Sequence, residues 1–226
     1  TAEACAGARV LAIQDTTEVS FGRARVSVPE LGPGTDEQSP ALFAHPVLAV
    51  DRDRSAVVGP VYADIWTRSA RDVARPRGQR AYADKESRRW LSAMQASAAR
   101  LQQARQVIMV ADREADIYTP FAQRPAGIDL VVRAHHNRKL AGGGKLFDAP
   151  EPWTELGRQW VAVAPRGPGD KGRWAQVELR AGQVTLTRPD TAAPGSAPTL
   201  RLSLVRAVEP APPEGTRGLC WHLLTT

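Results

Sequence analysis

Asp15 and Asp112 each close a short apolar run, the first after Val10 to Gln14 and the second after Val107 to Ala111. In open α/β sheets, sites lie outside the carboxyl ends of the strands. If the two runs are neighbouring strands, their carboxylates converge, and like charges at such a separation require a cation between them. Hard oxygen donors without a soft ligand nearby point to Mg2+ or Mn2+. The competing reading gives each Asp only a local duty as the cap of a turn or helix, which is the commoner role of an isolated strand-end Asp. Glu114 and Asp116 follow closely and suit the first turn of a helix, and Glu178 is a further available carboxylate. A glycosidase pair would need no metal, and nothing in the chain suggests sugar binding.

Other chemistry-bearing types are less suggestive. His135 and His136 are adjacent, which is poor geometry for one metal ion, and read as surface or phosphate-contact residues. Cys5 and Cys220 lie near opposite ends without CxxC spacing, so neither a disulfide nor a zinc site is expected. Gly142 to Gly144 lacks a following GK[ST] and reads as a flexible loop.

The elements that must position the two Asp residues are legible from periodicity. Val10 to Ile13 reads as a buried strand with a polar tip at Gln14 to Thr17. Residues 29 to 40 form a loop. Ala41 to Val50 and Ala56 to Trp66 form a hairpin about the charged turn Asp51 to Arg54, with Pro46 expected to delay or bulge the first strand. Arg68 to Arg80 is a basic linker. Asp84 to Gln103 is the clearest helix, with Trp90, Leu91, Met94, Ala98 and Leu101 on one face. A strand at Val107 to Ala111, a short helix at Ile117 to Gln123 and a strand at Asp129 to Arg133 complete a mixed α/β domain. From Ala134 the texture changes to short alternating runs, Trp160 to Ala164, Trp174 to Leu179, Val184 to Thr187 and Leu200 to Val205, which predict antiparallel β-structure. Trp66, Trp90, Trp153, Trp160 and Trp174 are expected in packing roles.

A chain of 226 residues suits one large domain or one domain with a big insertion. Its 42% hydrophobic and 24% charged content excludes wholesale disorder. No window resembles a membrane helix and the N-terminus lacks signal-peptide order, so a soluble, cytoplasmic protein is expected. The net charge is +6, and the excess is concentrated late: 17 basic against 16 acidic residues up to Asp129, 13 against 8 beyond it. Arginine supplies 26 of the 30 basic residues. Its planar fork suits phosphate, and both a polyanionic partner and an arginine-rich proteome account for the bias.

The local wording then becomes specific. Ile13-Gln14-Asp15-Thr16-Thr17-Glu18, Lys85-Glu86-Ser87 with Trp90-Leu91, Asp112-Arg113-Glu114-Ala115-Asp116-Ile117-Tyr118, Val131-Val132-Arg133 and Trp221-His222-Leu223-Leu224-Thr225 occur in this order over nearly the whole chain. In them the sequence resembles the DDE transposases of the bacterial insertion-sequence-four group, Tn-five type. The resemblance implies a ribonuclease H-like mixed sheet with flanking helices over residues 1–133, and a β-rich insertion over 134–226. It implies that Asp15 and Asp112 are the first two catalytic, metal-holding acids. It also implies two Mg2+ (or Mn2+) ions that activate water, then a 3′-hydroxyl, for in-line attack on a DNA phosphodiester. Arg133, Arg138 and Lys139 match positions that hold DNA, with a solvated basic loop as the alternative. Trp221 matches a tryptophan that stacks on a flipped base, and a core tryptophan is its alternative. The partner implied is double-stranded DNA at transposon ends, with the parent protein a homodimer in the DNA complex and no membrane involved.

One departure stands against this. The third carboxylate of such enzymes lies in a Tyr, Arg, Glu, Lys signature on a helix after the insertion, and the sequence reaches Thr226 before any such helix. The expectation is a catalytic-core fragment that is inactive alone, or a non-catalytic DNA-binding remnant with an incomplete triad.

Overall fold

The computed structural model describes residues 1–22, 30–69, 85–165, 167 and 169–226. The basic stretch Arg68 to Arg80 therefore lies outside the described residues from residue 70 on, as do Pro29 and Asp84 at the heads of the expected loop and helix. The structure is mixed α/β and strand-rich, with eleven strands and two α-helices among the described residues. Among these residues no helix is long and apolar enough to cross a membrane. The chain divides into two compact units, Thr1–Leu130 with Pro189–Ser196, and Val131–Arg188 with Ala197–Thr226.

The first unit is built on β1 (Arg9–Gln14), β2 (Thr17–Ser20), β3 (Gly32–Pro33), β4 (Pro40–Asp51) and β5 (Ala56–Trp66). β4 is its spine. Antiparallel β5 runs along one edge, and β1 and β2 share the other, pairing with Val47–Asp51 and Ala41–Ala44 respectively. Strict alternation buries Ala41, Phe43, His45, Val47 and Ala49 of β4 on one face. Asp51 closes the hairpin by accepting from the amides of Asp53 (2.9 Å) and Arg54 (3.0 Å).

Two expectations need correcting here. β4 runs straight through Pro46, because the missing donor falls in the interval where neither β1 nor β2 pairs, and the irregularities lie later, at Val47/Leu48 and Ala49/Val50. Thr17, read as part of a polar tip, opens β2, and Gly32–Pro33 inside the expected loop forms the short β3.

Helix α1 (Arg88–Arg100) is shorter than the predicted span and buries Trp90, Leu91, Ala93 and Met94. It packs on β4, β5 and β1. Its early stop follows from Leu101, whose ψ of 17° leaves the helical region. β6 (Gln106–Ala111), the five-residue α2 (Tyr118–Ala122) and β7 (Ile128–Arg133) follow. β6 pairs with β1 in parallel over its full length, and β7 lies on its far side. Pro189–Ser196 is tied to this unit by the Ala193 amide, which donates to Thr119 Oγ1 at 3.0 Å.

In the second unit β8 (Gly157–Val163), β9 (Arg173–Thr187), β10 (Thr199–Val208) and β11 (Cys220–Thr225) form an antiparallel succession, with β11 pairing Val131–Arg133 of β7. The two runs Trp174 to Leu179 and Val184 to Thr187 are one strand of 15 residues. They read as two because the buried side changes along it: Ala175 and Val177 are buried at odd positions, Val184 and Leu186 at even ones. Successive residues face opposite sides of a sheet, so β9 gives one face to each of two apolar clusters. Gly182 lies inside this crossover, under the Trp153 ring, where a Cβ would stand 2.7 Å from Trp153 Cε2.

Candidate active site

The register of β1 on β6 ends at Gln14 opposite Ala111. Asp15 and Asp112 are therefore the next residues on two adjacent parallel strands, whose axes run about 4.8 Å apart. Equivalent positions of such strands face the same way. Gln14 and Ala111 are buried, whereas Asp15 and Asp112 are exposed.

Each carboxylate is anchored through one oxygen. Asp15 Oδ1 accepts from the Thr16 amide at 2.8 Å, and Asp112 Oδ1 accepts from the Glu114 amide at 2.7 Å. Asp112 thereby caps a 3-10 turn over Arg113–Ala115, the local role weighed for a strand-end Asp, and its second carboxylate oxygen takes no part in that cap. Glu114 is an exposed first-turn acid of that turn. Asp116 differs from expectation, being buried at the end of the turn. Among the described residues no group of three or more His, Cys, Asp or Glu side chains could hold a metal ion. The pair supplies hard oxygen donors only, which fits a Mg2+ ion that keeps most of its water shell and is held by one or two carboxylates.

The remaining residues named from sequence belong to the second unit. Arg133 ends β7, is exposed, and brings its guanidinium 5.9 Å from the Trp221 ring. Trp221 is half-buried and packs on Ala175, Val177, Ala207 and Leu219. Arg138 and Lys139 follow in a loop held by backbone bonds, with the Leu146 amide donating to the Arg138 carbonyl (2.9 Å) and Lys139 bridging to Lys145. His135 and His136 are exposed, their rings edge to face at 4.8 Å. No known family model matches the chain.

Trp160 and Trp174 are not packing residues. They are 59% and 68% exposed. Ala162 pairs with Trp174 and Trp160 with Gln176, which makes the two indoles diagonal neighbours on one face of the β8–β9 hairpin. The cause is phase: Val161, Val163, Ala175 and Val177 take the inner face, so the intervening tryptophans point outward.

Two residues of the first unit make polar contacts that periodicity does not reveal. Glu86 receives a two-pronged contact from Arg68, at 2.6 and 2.7 Å, and a bond from Trp66 Nε1 at 3.2 Å. Burial opposes ionisation of Glu86, but the Arg68 and Trp66 bonds outweigh it and lower its pKa. His45 sits wholly buried under the tip of β1. Its sequence signal is a polar residue in the middle of the apolar phase of β4, flanked by Phe43 and Val47.

Proposed function

We propose that this chain is the metal-binding core of a DNA transposase of the kind its motifs resemble, a ribonuclease H-like unit followed by a β-rich insertion, working in the cytoplasm on double-stranded DNA. The observation that carries the reading is the parallel register Gln14–Ala111, which makes Asp15 and Asp112 strand-end neighbours. A bound Mg2+ or Mn2+ polarises a phosphoryl oxygen and lowers the pKa of an attacking water or 3′-hydroxyl. Asp15 and Asp112 hold that charge, with one oxygen of each fixed by a backbone amide. Arg133, Arg138 and Lys139 take phosphate oxygens and position the duplex without reading its sequence. Trp221 offers a ring face to an unpaired base. The complete protein acts as a homodimer on transposon ends.

A second reading, a DNA-binding remnant without chemistry, is favoured by the lack of a third carboxylate beside the pair among the described residues. Supercoiled plasmid and end-labelled duplex incubated with Mg2+ or Mn2+ separate the two. The expected outcome for this chain alone is DNA binding without nicking or joining, since among the described residues one side of a two-metal clamp has no protein ligand. Divalent-dependent nicking abolished by Asp112→Ala would show that a carboxylate such as Glu114 completes the site. Failure to bind DNA even at low salt would overturn both readings.

A further inference from the structure

His45 is the most deeply buried imidazole of the chain, and its two ring nitrogens grip the residues on either side of Asp15. Nδ1 lies 2.7 Å from Thr16 Oγ1, and Nε2 lies 3.2 Å from Gln14 Oε1. The Gln14 oxygen can only accept, so Nε2 carries the proton, and Nδ1 accepts from the Thr16 hydroxyl. Both contacts are satisfied by one neutral tautomer. The Trp90 ring meets the imidazole edge-on at 4.6 Å and blocks rotation from the α1 side. The charges nearest the ring, Asp64 on β5 and Arg89 on α1, are paired with each other at 2.8 Å.

We propose that His45 is a positioning residue for Asp15, acting through Thr16. The same Thr16 whose hydroxyl is held by His45 donates its amide to Asp15 Oδ1 at 2.8 Å. The chain of contacts runs from a locked ring to a side chain, to a backbone amide, to the carboxylate. Gln14 fixes the other flank at the last residue in register with β6. Without this clamp, the tip of β1 is free to turn the Asp15 carboxylate away from Asp112. The proposal rests on the reading of Asp15 and Asp112 as a divalent-cation pair, and the experiment tests the two separately.

Mn2+ binding to the whole chain is measured by the electron paramagnetic resonance of the free ion, at a temperature where every variant is shown to be folded. Wild type binds, and Asp112→Asn does not. Removing an outer group that orients a metal ligand typically weakens affinity by about 10- to 100-fold, and His45→Phe is expected in that range. His45→Gln, which restores a donor and an acceptor, recovers part of the loss, a rescue that packing alone would not produce. Should His45→Phe fail to fold, Thr16→Val decides, because it deletes only the hydroxyl and is expected to weaken binding several-fold. Unchanged Mn2+ affinity in folded His45→Phe or in Thr16→Val, with Asp112→Asn dead, overturns the positioning role and leaves the site reading standing. Equal behaviour of wild type and Asp112→Asn overturns the site reading and the proposal with it.

Discussion

A neutral imidazole buried on the inner face of β4 makes the first unit sensitive to mild acid. Burial pushes the His45 pKa down from 6.5 to about 4, so only the unfolded chain takes up a proton in that interval. Above pH 6.5 both states are neutral and the stability is complete. As the pH falls toward 4 it is lost, and below that the loss levels off. The linkage amounts to about 2 kcal/mol by pH 5 and about 3 kcal/mol in full. His222, lowered by burial and by Arg206, acts in the same direction. Asp36 and Asp51, lowered chiefly by backbone amide bonds, lose their contribution only at more acid pH, near the ordinary carboxylate range. Urea unfolding at pH 7.5 and pH 5 checks this: wild type drops by roughly this amount, and His45→Gln drops less. An equal drop in both would assign the acid sensitivity elsewhere.

Elements whose apolar residues keep one phase were legible from sequence, and those that change phase were not. β1, β4, β6 and α1 keep a single period, so the two strand-end aspartates can be located from the sequence. That β1 and β6 pair in parallel could only be conjectured, because register between distant segments leaves no local mark. β9 reads as two strands because its buried side changes around Gly182, whereas Trp160 on β8 and Trp174 on β9 face outward simply because the valines and alanine of the opposite phase fill the inner face. The contacts of His45 and Glu86 leave no local mark because their partners, Gln14 and Thr16 in one case and Arg68 in the other, are remote along the chain. The crossover at Gly182 makes a specific demand. Gly182→Ala forces the Trp153 ring to move, which costs about 1–3 kcal/mol as overpacking does elsewhere. Trp153→Leu makes room, so the double variant should be more stable than the two single losses added together. Strict additivity, measured by denaturant titration, would show that the ring is not what excludes a Cβ.

At the scale of the whole molecule, charge is the property that reaches a partner. With 13 basic against 8 acidic residues after Asp129, phosphate contacts would release counterions, and DNA affinity should fall steeply with salt. Arg133→Ala combined with Lys139→Ala should weaken binding to every sequence alike and flatten the salt slope by about two units, one for each lost contact. Trp221 packs on the apolar cluster of its unit, so the gentler Trp221→Leu is the variant to use. It should cost roughly 1–3 kcal/mol only on DNA with an unpaired base. Titration of duplex and flapped oligonucleotides at several salt concentrations reads all three expectations, and a salt-independent affinity would return the arginines to compositional bias. The parallel seam of β1 and β6 also sets an order of events during synthesis. β4 and β5 are joined by a tight turn and can zip as soon as they are made, whereas β1 must wait for β6, across a loop of roughly a hundred residues whose closure is slow. Asp15 thus leaves the ribosome long before Asp112 exists. The two strand ends come side by side only when the hairpin is already in place to hold β1.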